Sequence, residues 1–103
     1  MKHTIVLSPE ALEDLRRSKA NTRAMLRDAL EEHLRNEPTK TSKSRIKRLQ
    51  GLSRPQYRLR VEDMRIFYDV IGTTVEILAI ISKDEVEQWL EKAGELYENN
   101  RPE

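Results

Sequence analysis

The sequence predicts an α+β domain in which a helix hairpin covers one face of a small antiparallel-meander sheet, in the order β-α-α-β-β-β-α. Three observations carry this. Apolar residues recur at helical spacing through residues 11–34, alternate from Tyr57 onward, and return to helical spacing after Ser82. The chain has 103 residues, the size of one domain. Its hydrophobic residues make up 37%, enough for a single core beneath a surface on which 36% of all residues are charged. The expected domain spans residues 1–94, with residues 95–103 as a polar, mobile tail.

Residues 3–7 are β-branched and apolar enough for a short strand. Ser8 then offers a helix N-cap, with Pro9 at the first helical position where its missing N–H costs nothing. This helix turns Ala11, Leu12 and Leu15 inward. After a break at Ser18 to Asn21 a second helix carries Leu26, Ala29, Leu30, His33 and Leu34 on one stripe, so the pair forms an antiparallel hairpin or one bent helix. Pro38 stops it. Thr39 to Arg48 is polar and basic and reads as an irregular segment. Three strands follow: Tyr57–Val61, a strand from Met64 to Ile71, and Val75 to Ser82. Glu62-Asp63 reverses the first pair, and Gly72-Thr73 the second with glycine first, as a type II′ turn requires. Ser82 with Glu85 forms a capping box for a last helix with a stripe of Val86, Trp89, Leu90 and Ala93, ended by Gly94.

Composition excludes several classes of function. The chain has no Cys, which removes disulfides and thiol chemistry. Its three Gly make no phosphate-cradling loop, and two isolated His make no zinc site. The longest apolar run, Ile77 to Ile81, falls far short of the roughly 18–20 residues a membrane span needs. No N-terminal stretch resembles a signal peptide, so a cytoplasmic location is expected. The formal net charge of +1 is unevenly spread: residues 1–34 balance, residues 35–65 carry +7, and residues 66–103 carry −6. The middle of the chain therefore builds a basic surface.

Pairing the strands places that charge. A reversal at Glu62-Asp63 sets Val61 against Met64, Arg60 against Arg65, Leu59 against Ile66 and Arg58 against Phe67. One face then holds Tyr57, Leu59, Val61, Met64, Ile66, Tyr68, Val70, Val75, Ile77, Ala79 and Ile81, which is the core face. The other gathers Arg58, Arg60 and Arg65 beside Phe67, Leu78 and Ile80. This mixture is too apolar for open solvent, so the last helix or a partner segment is expected to cover it. Like charges directly opposed cost a few tenths to about 1 kcal/mol. Either the face is an ordinary solvated one, or its guanidinium forks form an anion site.

The run Leu49-Gln50-Gly51-Leu52, then Tyr57-Arg58-Leu59-Arg60-Val61, then Met64-Arg65-Ile66-Phe67-Tyr68-Asp69-Val70, and Val75 to Ile81 before a short helix, resembles the RelE/ParE superfamily of toxins from bacterial type II toxin–antitoxin modules. The resemblance covers nearly the whole chain. It implies one of two activities. The RelE branch is a metal-independent endoribonuclease that enters the ribosome and cuts mRNA; the ParE branch poisons DNA gyrase. Both are silenced by a cognate antitoxin that wraps the toxin. By this resemblance Arg58 and Arg60 match two basic strand positions of the nucleases, Arg65 matches the Arg of the next strand, and Lys83 lies near a further basic position. Ser82 is expected across from Asp63, which brings Lys83 to the same end of the sheet. Where the nucleases carry a catalytic Tyr, this chain has Glu87, the candidate general base. Tyr57 and Tyr68 belong to the core face and Tyr97 lies beyond Gly94. His33 and Trp89 are read as packing residues.

Overall fold

The computed structural model describes residues 2–96. Strand β1 (Thr4–Leu7) leads through Ser8 into helix α1 (Pro9–Arg17), where the Ala11 amide donates to Ser8 Oγ at 3.1 Å. Two extended residues, Ser18 and Lys19, separate α1 from helix α2 (Ala20–Ala29), so the pair is two helices rather than one bent one. The break is pinned by Arg23, whose guanidinium donates to the Ser18 carbonyl at 2.7 Å. A π-helical turn, Leu30–Leu34, extends α2. The remaining elements are β2 (Ile46–Arg48), β3 (Leu52–Arg54), β4 (Tyr57–Val61), β5 (Met64–Ile71), β6 (Thr74–Ser82), a 3-10 turn at Lys83–Glu85, α3 (Val86–Ala93) and β7 (Glu95–Leu96). Five strands form one mixed sheet in the order β1-β6-β5-β4-β2, and β3 pairs with β7 apart from it.

The helices bury Ala11, Leu15, Leu26, Ala29, Leu30 and Leu34 against Leu59, Ile66, Tyr68, Val75, Ile77 and Ile80 of the sheet. Tyr68 is wholly buried, stacks on Tyr57 with ring centroids 5.5 Å apart, and donates its hydroxyl to the Pro38 carbonyl at 2.6 Å. The β4–β5 register is the expected one: Arg60 faces Arg65, Leu59 faces Ile66 and Arg58 faces Phe67. Glu62 takes the left-handed conformation, φ 56°, at the first turn position, as Gly72 does at φ 61° in the next turn.

The β5–β6 register holds from Ile71↔Thr74 to Tyr68↔Ile77 and then shifts by one residue, so that Phe67 faces Ala79 and Ser82 faces Met64, not Asp63. Leu78 is the extra residue of a β-bulge. Because side chains alternate with a period of two, one inserted residue exchanges the faces of everything beyond it. Ala79 and Ile81, expected in the main core, instead join Phe67 on the opposite face; Ile80, expected opposite, is in the main core at 3% exposure.

The bulge is held by α1. β1 accompanies β6 only as far as Ile77. Beyond it, the Ser8 amide donates to the Ile77 carbonyl at 2.9 Å, Ser8 Oγ donates to the Leu78 carbonyl at 3.1 Å, and buried Asp14 accepts the Ile80 amide at 3.0 Å. Burial pushes the Asp14 carboxyl above its ordinary range, partly offset by the Ile80 amide and Arg17.

Two further corrections concern short elements. The last three residues of the segment read as irregular form β2, which pairs with β4 and buries Ile46. One apolar residue in three carries no readable period. The segment expected to be a tail from Glu95 begins instead with β7, whose Glu95 and Leu96 pair with Arg54 and Leu52; the rest of that segment lies outside the described residues. Among the described residues no helix is long and apolar enough to cross a membrane.

Replacing Asp14 by Ala leaves the Ile80 amide buried without an acceptor, an expected loss of about 1–3 kcal/mol in urea unfolding. Asp14→Asn keeps an acceptor oxygen and loses less. The raised carboxyl pKa means the folded state holds this proton more tightly than the unfolded one, so ionising Asp14 lowers stability as pH rises through the carboxylate range. Asn carries no such charge, so its stability relative to the parent improves over the same rise in pH.

Candidate nucleic-acid interface

The face of the sheet away from the main core divides into two halves. On one half, Phe67, Ala79 and Ile81 form a second apolar cluster, covered by Leu49 and by Val86, Trp89 and Leu90 of α3. Trp89 stacks on Phe67 with centroids 4.9 Å apart and donates Nε1–H to Glu10 at 3.0 Å. The last helix thus covers the apolar half, as expected, with Ala79 and Ile81 in the places expected of Leu78 and Ile80.

The other half is cationic. Arg60 and Arg65 are directly opposed across β4 and β5, and Arg58 lies two residues before Arg60 on the same face. Arg65 is fixed by two hydrogen bonds of 2.9 Å from Nη1 to the Glu62 and Met64 carbonyls. Arg60 is exposed. Arg58 is half-buried, and its Nε has no hydrogen-bond partner among the described residues. Its guanidinium pKa is pushed down first by burial and then by the neighbouring charges of Arg65 and Arg60. Among the described residues none of the three forms an ion pair with a carboxylate.

Arg54, from the same basic stretch, has the opposite fate. It pairs with buried Asp69 at 3.2 Å and with Glu76 at 3.3 Å. Asp69 also accepts the Gln56 amide at 2.8 Å, and burial pushes its carboxyl upward. Two acids of this face thus pair with Arg54, and among the described residues none of the three clustered arginines forms an ion pair with a carboxylate.

Lys83 lies at the same end of the sheet: its amide donates to the Asp63 carbonyl at 2.8 Å, and its exposed ammonium pairs with the Asp63 carboxylate at 3.6 Å. Glu87 is exposed in the first turn of α3 and makes no ion pair or hydrogen bond to the arginines among the described residues. His33 sits on the π-helical turn, half-buried, with Nε2 4.0 Å from Glu32, and lines a cleft with Arg45 and Glu62. The residues missed from sequence are Arg45 and Lys47. Lys47 is paired directly with Arg58, and the Arg60 amide donates to the Arg45 carbonyl at 2.9 Å, continuing the ladder. Recognising β2 as a strand was the missing signal.

Fixed, water-facing guanidinium groups without carboxylate partners bind phosphate oxygens bidentately and retain their charge at all physiological pH.

The model of the ParE toxin of the type II toxin–antitoxin system parDE matches residues 5–87. No curated protein sequence matches the chain. Among solved structures, the RelB–RelE antitoxin–toxin complex from Methanococcus jannaschii aligns with TM-score 0.63 at 21% identity, covering 82% of this chain and 96% of the other. The toxin–antitoxin complex RelBE2 from Mycobacterium tuberculosis gives 0.63 at 23% identity, covering 80% and 99%. A mutant of the E. coli toxin RelE in the free state gives 0.66 at 21%, covering 88% and 94%. At these identities the structural likeness establishes a shared fold.

A cluster retained against its own repulsion makes a stability prediction. Arg60→Gln removes one of two opposed like charges and is expected to raise stability by a few tenths to about 1 kcal/mol at low salt. The gain should shrink as added salt screens the pair, which urea unfolding at two ionic strengths will read.

Proposed function

The chain belongs to the ParE toxin family of type II toxin–antitoxin systems, and from that premise we propose that it is a toxin of the RelE kind: a ribosome-dependent endonuclease that cuts mRNA and halts translation. The observation that carries this reading is the Arg58, Arg60 and Arg65 cluster, which lacks a carboxylate partner among the described residues. The cluster suits a polyanionic substrate, and Lys83 adds a cation at the same end of the sheet.

Cleavage at a 2′-hydroxyl removes its proton, forms a bond from the 2′-oxygen to phosphorus, and breaks the bond to the 5′-oxygen, which takes up a proton and leaves a cyclic phosphate. Charge builds on the phosphoryl oxygens in the transition state, where arginines held in advance stabilise it without reorganising. Arg65, anchored by two turn carbonyls, is placed for this role. We assign the 2′-proton to Glu87, which opens α3 just beyond Lys83. Tyr68 is unsuited to it, because burial raises its hydroxyl far above the ordinary range and Pro38 holds its proton. No step requires a metal ion. A cognate antitoxin is the expected regulatory partner, since structural relatives occur in antitoxin–toxin complexes.

A second reading, a ParE-like gyrase poison without enzymatic activity, is favoured by one observation: where the resemblance expects a catalytic Tyr in the last helix, the chain has Glu87.

Induced expression separates the two. Arrest of translation with cut mRNA supports the nuclease; DNA breaks with an SOS response support the gyrase poison. Arg65→Ala is expected to abolish growth arrest while remaining folded, since the half-buried side chain lies outside the main core and each of its two turn hydrogen bonds contributes roughly 0.5–1.5 kcal/mol. Glu87→Gln is expected to slow single-turnover cleavage of ribosome-bound mRNA by about 10²-fold or more, the typical loss of a general base. An unchanged rate would leave catalysis to the arginines and substrate positioning alone.

A further inference from the structure

The basic surface continues past the three arginines onto the outermost strand. The register sets Lys47, Arg58 and Phe67 in one row across β2, β4 and β5; Arg60 and Arg65 form another, which Arg45, the residue before β2, continues through its carbonyl's bond with the Arg60 amide. Neighbouring strands lie about 4.8 Å apart, so the first row spans roughly 10 Å of backbone. Arg45 is exposed, and its Nη1 donates to the Arg60 carbonyl at 3.2 Å, which keeps it beside Arg60. With Ser44, Arg60 and Glu62 it lines an open cleft of about 200 Å³. Lys47 is exposed beside Arg58. Neither Arg45 nor Lys47 forms an ion pair with a carboxylate among the described residues.

The two sides of the arginine cluster differ in access. Toward β6 the next residues are Ile81 and Ala79, buried beneath α3, and Lys83 is engaged by Asp63. Toward β2 the sheet ends and the cations face water. A polyanion seated on Arg58, Arg60 and Arg65 has its uncovered path over the β2 edge.

We infer that Arg45 and Lys47 extend the site across β4 to the sheet edge, where they hold a backbone phosphate of the message outside the cleaved linkage. This rests on the nuclease reading above and deepens it: the RNA strand crosses the strands of the sheet instead of running along them. Arg45 and Lys47 are positioning residues. They hold the message in place and touch no reacting atom.

The test uses the full chain on ribosomes programmed with a defined message, under single-turnover conditions. The Arg45→Gln, Lys47→Gln double variant is expected to raise the half-saturating toxin concentration about tenfold, with the plateau rate unchanged. The slope of log affinity against log salt should fall by about 0.7, the value for one lost single-strand phosphate contact. Two further messages carry neutral methylphosphonate linkages just outside the cleaved bond, on the 5′ or the 3′ side. One of them should weaken the parent protein to the level of the double variant and cost the variant nothing more. Unchanged saturation and salt slope in the variant would overturn the inference. So would an equal loss from the neutral linkages in parent and variant, which would mean that the two cations contact something other than the message. If the parent protein itself leaves the message intact, the nuclease reading fails and the inference falls with it, an outcome distinct from the other two. Should the urea midpoint of the double variant drop, exposed Lys47→Gln alone carries the comparison, with Lys47→Arg expected to restore parental saturation.

Discussion

The organisation of this sheet depends on how the outer edge of β6 is satisfied once β1 ends. β1 is four residues long and β6 nine, so β6 continues past Ile77 with polar backbone groups that have no strand beside them. Leaving such groups buried and unpaired costs as much as several good packing contacts gain. The chain supplies Ser8 and Asp14 from α1, one to the Ile77 and Leu78 carbonyls and one to the Ile80 amide. The bulge at Leu78 sits where strand pairing gives way to helix capping. It turns Ile80 into the main core and sends Ala79 and Ile81 to join Phe67 on the other face. That second cluster is what α3 docks against, and among the described residues the arginine end of the face lies outside it.

Much of this was legible in the sequence because it rests on local chemistry. Ser8-Pro9 marks a helix start through capping, and the alternation from Tyr57 to Ile71 fixes the β4–β5 register together with the opposition of Arg60 and Arg65. What escaped depends on contacts distant along the chain. The bulge has no mark in the run Glu76-Ile-Leu-Ala-Ile-Ile81, where five apolar residues in a row satisfy either register. Its cause lies some 70 residues earlier, at Ser8. β2 and β7 are too short to show a period and exist because β4 and β3 offer them open edges. In the site, the three arginines were visible as a cluster, whereas Lys47 and Arg45 joined it only once β2 was paired.

Charge pairing on the sheet is selective. Arg54 and Arg58 are close in sequence and share a chemistry, yet Arg54 meets Asp69 and Glu76 while Arg58 meets Arg60 and Arg65. A surface shaped only for stability would have spread the acids among the bases. Pairing Asp69 and Glu76 with Arg54 ties β3 to the sheet and leaves three neighbouring arginines with no carboxylate ion pair among the described residues. The left-handed Glu62 belongs to the same patch: its carbonyl, presented by a turn that glycine would enter more easily, helps hold the Arg65 guanidinium in place.

The parallel pairing of β1 with β6 also sets when the protein can exist. Thr4 to Leu7 meet their partners only in Thr74 to Ile77, so α1 and α2, though made first, have no sheet to pack on until most of the chain has been translated. A toxin in this family is made by the machinery on which we propose it acts. The arginines lie on β4 and β5, a hairpin complete by Ile71, whereas β1 is paired only when β6 follows. Along the chain, the cationic face therefore precedes the strand that completes the sheet beneath the helices.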